Sequence, residues 1–105
     1  MQNNITDLKT LAALFSGDSR VVEGKWFGKI CLKVNGKTFT VLFGRDVAFK
    51  LPDDALKEAL QIDGAHLFDP RGKGNPFKEW VQVPAKYAGE WPALAHLSLE
   101  FVSNL

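Results

Sequence analysis

The stretch 28–51, GKICLKVNGKTFTVLFGRDVAFKL, alternates apolar and polar residues and is interrupted twice by residues that favour turns. Asn35-Gly36 separates the first run from the second, and Gly44-Arg45-Asp46 separates the second from the third. An Asn-Gly pair between alternating runs is the strongest short-range signal for a β-hairpin. We therefore predict three consecutive antiparallel strands, over residues 28–34, 38–43 and 47–51.

Apolar periodicity on either side of this stretch predicts three helices and two further strands. Asn4 is the predicted N-cap of the first helix, and Asp53 and Asp54 lie at the positive dipole end of the second. The predicted segments are a helix over 5–16, a helix from Pro52 to Asp63-Gly64, strands over 65–68 and 77–83, and a helix from Trp91 through Val102. This order predicts an α+β protein, α-β(3)-α-β(2)-α, with an antiparallel five-stranded sheet and helices mainly on one face.

Length and composition predict one globular domain over residues 1–105, because 46% of the residues are hydrophobic and 24% are charged. No apolar run approaches the roughly 18 residues of a membrane span, and the N-terminus lacks the pattern of a signal peptide. Cys31 is the only cysteine, so an internal disulfide is excluded. We therefore expect a cytoplasmic protein that has no membrane partner.

Charge is sorted along the chain although the net charge is only +1. Residues 20–50 carry seven Lys or Arg against two Asp or Glu, and residues 51–70 carry five acids against one Lys. Residues 71–86 are basic again, with four Lys or Arg against one Glu. This distribution predicts opposed charged patches on the folded surface.

Period-two alternation predicts which strand residues face the helices and which face away from them. The predicted covered face consists of Ile30, Leu32, Val34, Phe39, Val41, Phe43, Val47, Phe49, Leu51, Val81 and Val83. The predicted open face consists of Lys29, Cys31, Lys33, Thr38, Thr40, Leu42, Ala48, Lys50, Lys78, Trp80 and Gln82. The second set contains four lysines, one tryptophan and no carboxylate, which predicts a basic open face.

Lysines beside an exposed aromatic side chain are typical of nucleic-acid-binding surfaces, where they neutralise phosphate while the ring stacks on bases. The candidate binding residues are Lys29, Lys33, Lys50, Lys78 and Trp80 on the sheet face, with Arg71 and Lys73 in the loop 69–76. Two alternatives stay open. Lysines also decorate the solvent side of ordinary sheets, and a glycine-rich loop is also explained as a flexible connection. The net charge of +1 lacks the basic excess of dedicated nucleic-acid binders.

No specific catalytic, cofactor or metal motif appears in the sequence. Gly72-x-Gly74 lacks the spacing and the Lys-Ser/Thr of a phosphate-binding P-loop. Cys31 is predicted in the middle of a strand with no activating neighbour, and His66 and His96 have no clustered carboxylate with which to hold a metal. We therefore expect a protein that is not an enzyme and that holds no cofactor and no metal.

Five short motifs occur in an order and spacing that resemble a known family. They are Trp26-Phe27-Gly28, Val34-Asn35-Gly36-Lys37-x-Phe39, Ala48-Phe49-Lys50-Leu51, Trp80-Val81-x-Val83-Pro84 and Trp91-x-x-Leu94. Over residues 20–102 the chain is similar to the TfoX N-terminal domain family and its MmcQ/YjbR-like relatives. It departs from the family pattern at Trp26, where Met is usual, and at Lys29, where a second Gly is usual.

The resemblance implies an α-β(3)-α-β(2)-α fold and a bacterial regulatory role. TfoX proteins are associated with the regulation of competence genes, and YjbR-like domains have been suggested to bind DNA, but neither family supplies a catalytic residue set. At 105 residues the chain corresponds to the first TfoX domain, so we expect a stand-alone relative of it. The alternative is a protein-interaction module, a homodimer included, that buries Cys31, Leu42 and Trp80 against its partner and has no nucleic-acid role.

Overall fold

A computed structural model describes residues 8–105 of the chain, so the predicted N-cap Asn4 and residues 5–7 of the first predicted helix lie outside the described residues. The helices are α1 (Leu8–Ala13), α2 (Asp53–Ala59) and α3 (Trp91–Ser103), and a 3₁₀ segment (Ala85–Glu90) precedes α3. The strands are β1 (Val21–Trp26), β2 (Lys29–Val34), β3 (Lys37–Phe43), β4 (Asp46–Lys50), β5 (His66–Leu67) and β6 (Trp80–Val83). None of these helices is long and apolar enough to cross a membrane.

The strands form one antiparallel sheet in the order β1-β2-β3-β4-β6-β5, which confirms the α+β class. All five predicted strands are present within the described residues, and β1 is additional. The predicted five-strand count is therefore wrong, and the element order is α-β(4)-α-β(2)-α instead of α-β(3)-α-β(2)-α. Because β1 pairs only with β2, it lies at one edge of the sheet.

Two tight turns of the same form connect β1 to β2 and β2 to β3. Asn35 and Gly36 have φ values of +53° and +77°, as the Asn-Gly signal predicts for a two-residue hairpin loop. Phe27 and Gly28 have φ values of +54° and +74° in the equivalent positions. A bulky aromatic residue seldom adopts a left-handed conformation, so this turn carries no recognisable sequence signal and β1 was not predicted.

An ion pair orders the turn that leads into β1. The Arg20 guanidinium donates hydrogen bonds to both carboxylate oxygens of Asp18, at 3.0 and 2.7 Å, and the Arg20 backbone N–H donates to one of them at 2.9 Å. These bonds lower the pKa of Asp18 from 3.8 to about 2. The backbone N–H of Val21 also donates to the Asp18 carbonyl, so Asp18 fixes the first residue of β1.

The larger hydrophobic core lies between the three helices and one face of the sheet. Leu11 from α1, Leu56 from α2 and Leu94 from α3 all belong to it. The largest fully buried side chain is Trp91, at the start of α3, and its Nε1–H donates to the Val83 carbonyl at 3.3 Å. This packing confirms that helices cover one face of the sheet.

A β-bulge in β3 changes which residues reach this core. Leu32 pairs with Thr40 and Lys33 pairs with Thr38, so Phe39 is an extra residue without a partner on β2. The hydroxyl of the buried Ser98 on α3 donates to the Phe39 carbonyl at 2.5 Å. Bulged residues of this kind bend a strand and shift its alternation by one position.

Because of this shift, four residues of β3 lie on the opposite face of the sheet from the one predicted. Val41 and Phe43, which were predicted on the helix face, lie on the opposite face of the sheet. Thr40 is fully buried and pairs with the core residue Phe49, and Leu42 packs against the larger core. The faces predicted for the residues after Phe39 were wrong, because strict alternation cannot anticipate one inserted residue.

Thr40→Val is expected to stabilise the fold by about 1–2 kcal/mol. The Thr40 hydroxyl is buried and has no hydrogen-bond partner within residues 8–105, so it loses its hydration on folding without compensation. Valine has nearly the same shape and no polar atom. Urea unfolding of both proteins measures the difference, with Thr38→Val as the contrasting variant, because the Thr38 hydroxyl has a contact with Cys31 Sγ at 3.7 Å and its removal should give no gain in stability. A clear loss of stability in the Thr40 variant would mean that the hydroxyl has a partner.

The second face of the sheet carries a smaller core of its own, which contradicts the predicted open face. Its buried residues are Cys31, Val41, Ala48, Phe68 and Trp80, and Trp26, Phe43 and Phe77 pack against them. Cys31 is 0% and Trp80 is 6% exposed, so neither lies on an accessible surface. The cause is the segment around β5, which brings Phe68 and Phe77 back over the sheet.

The loop after β5 is held in place by its own hydrogen bonds. The Asp69 carboxylate accepts bonds from the backbone N–H groups of Gly72 and Gly74, at 3.0 and 2.9 Å. The Phe77 N–H donates to the Phe68 carbonyl at 2.8 Å and closes the loop. Asp side chains stabilise turns in this way, so the loop has a defined path beside the smaller core.

Candidate functional site

The Trp26 side chain links the edge strand β1 to β6, the fifth strand in spatial order. The rings of Trp26 on β1 and Trp80 on β6 lie 4.8 Å apart. Trp26 also contacts Phe68 and Phe77, with ring centroids at 6.3 and 5.7 Å. Trp26 therefore packs on the smaller core and remains partly exposed.

Two recesses lie on either side of Trp26 and share it as a wall. The first, which we call the aromatic recess, has a volume of about 70 Å³. Its lining residues are Trp26, Phe27, Lys29, Val41, Phe43, Phe68, Pro70 and Arg71. The interior is formed by rings and the charged side chains are both cationic, so this recess suits a planar apolar group beside an anion.

The second, which we call the lysine recess, has a volume of about 310 Å³. Its lining residues are Trp26, Lys33, Gly36, Lys37, Thr38, Lys50, Trp80, Val102 and Leu105. This volume lies at the lower end of the range found for small-ligand sites, which is about 300–1,000 Å³. Three lysines and no carboxylate side chain line it, so it suits an anionic ligand.

The three lysines differ in how far their charges are compensated. Lys50 Nζ lies 3.5 Å from a carboxylate oxygen of Glu79, and Lys37 Nζ donates to a main-chain oxygen of Leu105, the last residue of the sequence, at 3.0 Å. The aliphatic stem of Lys33 passes over Gly24 on β1, where a Cβ would stand only 3.1 Å from Lys33 Cε. Gly24 therefore leaves room for the Lys33 side chain to lie along the sheet.

The two cations of the aromatic recess each lie against a ring that packs on the smaller core. Lys29 Nζ is 5.3 Å from the centroid of the Phe43 ring, and the Arg71 guanidinium carbon is 5.7 Å from that of Phe77. Cation–π contacts of this length are favourable and orient a cation without neutralising it. Both charges therefore stay available to an anion at the rim.

The structure brings together five of the seven predicted site residues. Lys29 and Arg71 line the aromatic recess, and Lys33, Lys50 and Trp80 line the lysine recess. Lys73 and Lys78 are exposed and line neither recess. The loop 69–76 thus contributes Arg71 to the site but not Lys73, and Lys78, which was predicted on the sheet face, lies before the first residue of β6.

Sequence reasoning missed three residues that the structure places at these recesses. Trp26 separates them, Phe27 lines the first, and Lys37 lines the second. The Trp-Phe-Gly triplet was visible in the sequence, but without β1 the side-chain direction of Trp26 could not be assigned. Lys37 was part of the basic stretch and was passed over because it adjoins the Asn35-Gly36 turn.

Comparisons of the chain with protein-family models, with curated proteins and with solved structures give no significant match. The resemblance to TfoX and YjbR domains therefore stays a hypothesis carried by the five motifs. Within residues 8–105, no group of three or more His, Cys, Asp or Glu side chains is placed to hold a metal ion. Cys31 is buried, with its Sγ 3.7 Å from the Thr38 hydroxyl.

Proposed function

We propose that the protein is a non-catalytic bacterial regulatory domain of the TfoX N-terminal/YjbR type that binds nucleic acid across the sheet face that carries the smaller core. The observation that supports this proposal is the pair of recesses that share Trp26. Among residues 8–105, the two recesses are lined by five cations and by no carboxylate side chain: Lys29, Arg71, Lys33, Lys37 and Lys50. A row of cations interrupted by an aromatic ring matches the alternation of phosphate and base along a nucleic-acid strand.

The aromatic residue proposed to contact a base is not the one expected from the sequence. Trp80 is 6% exposed and forms part of the wall, so it cannot offer a free face to a base. Trp26, which is partly exposed between the recesses, takes that position. Lys33 and Lys37 supply charge on one side of it, and Lys29 supplies charge on the other.

Lys29→Glu combined with Lys33→Glu is expected to weaken DNA binding by about 100-fold at low salt, because two cations facing phosphate become anions. The two positions belong to different recesses, so the variant tests the whole face. The measurement is fluorescence anisotropy of labelled single-stranded and duplex DNA at several salt concentrations. For the unaltered protein we expect affinity to fall steeply with salt.

Lys57→Glu combined with Lys86→Glu is the matched control. It changes the net charge by the same amount, and both lysines are exposed and line neither recess. We expect this variant to bind DNA far better than the first. Equal binding by the two variants would show that only the net charge of the protein matters. If the unaltered protein binds neither single-stranded nor duplex DNA at low salt, the proposal is contradicted.

A groove between α2 and α3 favours the alternative, a protein-interaction module or homodimer. Its volume is about 290 Å³ and its lining residues are Ala55, Glu58, Ala59, Ile62, Glu90, Ala93, Leu94 and Leu97. Leu97 is 47% exposed there. The face first assigned to this role is unsuitable, because Cys31 and Trp80 are buried and Leu42 lies on the helix side.

Light scattering of the same samples separates the two functions: concentration-dependent assembly with no DNA binding supports the alternative.

A further inference from the structure

Phe27 is exposed and strained, at the tip of the β1–β2 hairpin. Its side chain is 55% exposed and its φ is +54°. Asn, Asp or Gly would adopt this conformation more readily, so local geometry does not favour Phe here. With 55% of the residue exposed, packing against neighbouring rings buries less than half of it. Backbone strain at an exposed residue of this kind is characteristic of positions that contact a ligand.

The surroundings of Phe27 define what such a ligand must offer. The Phe27 ring lies 4.9 Å from that of Trp26 and 6.0 Å from that of Phe77, at the mouth of the aromatic recess. The two charged groups in the lining of this recess are the cations Lys29 and Arg71. The site therefore combines an apolar ring surface with positive charge at its edge.

The size of the recess limits how the ligand can enter. At about 70 Å³ it is smaller than the cavity of about 150 Å³ that takes up benzene in another protein, so a whole ring does not fit inside. A planar group can instead place one edge in the recess while its face lies on the exposed ring of Phe27. This arrangement leaves the rest of the ligand beside the two cations.

We propose that Phe27 and the aromatic recess form a stacking site for one unpaired base of a single-stranded nucleic acid, an inference that rests on the proposed function. A nucleotide joins a planar base to an anionic phosphate, which matches the ring surface and the cations of Lys29 and Arg71. An acidic peptide would supply the charge but would need an aromatic residue to supply the plane. In a duplex both faces of each base are already stacked, so the site selects single strands.

The test compares three labelled probes by anisotropy at one low salt concentration: a ten-nucleotide oligothymidine, the same strand with abasic positions, and a duplex of equal length. The abasic strand keeps every phosphate and lacks the stacking surface. We expect the unaltered protein to bind oligothymidine about tenfold more tightly than the abasic strand, as is typical of one base stacked on an aromatic side chain. We expect the duplex to bind more weakly than oligothymidine.

Phe27→Asn removes the ring and keeps a residue that suits the left-handed turn, so the fold is expected to melt at the same temperature or a higher one. This variant should lose most of the preference for oligothymidine over the abasic strand, with Trp26 as the remaining stacking surface, and Phe27→Trp should keep the full preference. If the unaltered protein binds DNA but Phe27→Asn leaves the preference intact, the stacking site is refuted and the proposed function stands. If the unaltered protein binds none of the three probes, both are refuted.

Discussion

Trp80→Ala is expected to lower the free energy of unfolding by about 3–5 kcal/mol, the usual cost of removing a large aromatic side chain from a core. Trp80 is 6% exposed, and its ring lies 4.8 Å from that of Trp26 and 6.0 Å from that of Phe68. Its removal leaves a cavity between β1, β6 and the segment that follows β5. The smaller core would lose the ring that contacts both Trp26 on β1 and Phe68 after β5.

Urea unfolding followed by circular dichroism measures this loss, and Lys78→Ala is the matched control. Lys78 lies two residues before Trp80 and is exposed, so its truncation should change stability by less than about 0.5 kcal/mol. If Trp80→Ala lowers the free energy of unfolding no more than the control does, Trp80 is not a core residue and the open face predicted from alternation is correct. The expected cost also means that weaker DNA binding by this variant would not identify Trp80 as a contact.

The hairpins at the centre of the sheet could be predicted because their signals are local. Asn35-Gly36 adopts the left-handed conformation that this pair favours, and the strands on either side keep the predicted positions. The acidic start of α2 at Asp53 and Asp54 likewise follows directly from the sequence. Each of these features depends on residues that are close together along the chain, so a single sequence contains the information.

The edge strand β1 could not be predicted because its pattern is weak. Val21 and Val22 are adjacent, Gly24 interrupts the strand, and the turn that follows contains Phe27 in place of a typical turn residue. An edge strand with half of its residues exposed needs no strict alternation. Its place in the sheet comes from pairing with β2, which is a tertiary interaction.

The second face of the sheet was misjudged for two reasons, both of them non-local. The bulge at Phe39 reverses the direction of every later side chain in β3, and its carbonyl is satisfied by Ser98, which is 59 residues away along the chain. The loop after β5 then brings Phe77 over the face that alternation left open. Alternation assigns residues to faces but does not show what covers each face.

The basic residues of the candidate site were predictable as a group, whereas their arrangement was not. Lys29, Lys33 and Lys50 do share one face of the sheet, as the alternation predicted for strands β2 and β4. Their division into two recesses depends on Trp26, which comes from the unpredicted strand β1 and packs against Trp80 on that face. The contact between Trp26 and Trp80 joins strands that are four places apart in the sheet, which no local pattern encodes.

Trp91→Ala is expected to cost about 3–5 kcal/mol as well, through the larger core. Trp91 is fully buried at the first turn of α3, and its Nε1–H donates to the Val83 carbonyl on β6 at 3.3 Å. The substitution removes the ring that packs α3 against the sheet and also the donor to a buried carbonyl. Urea unfolding measures the total loss.

Trp91→Phe separates the two contributions. Phenylalanine keeps most of the ring and lacks the indole N–H, so the Val83 carbonyl loses this donor at a cost of about 1–3 kcal/mol. We therefore expect the Phe variant to be less stable than the unaltered protein and more stable than the Ala variant. If Phe and Ala cost the same, the hydrogen bond would account for the whole effect and the packing of the ring would contribute nothing. That result would contradict the role assigned here to Trp91, because a fully buried indole ring should lose packing energy when it is truncated.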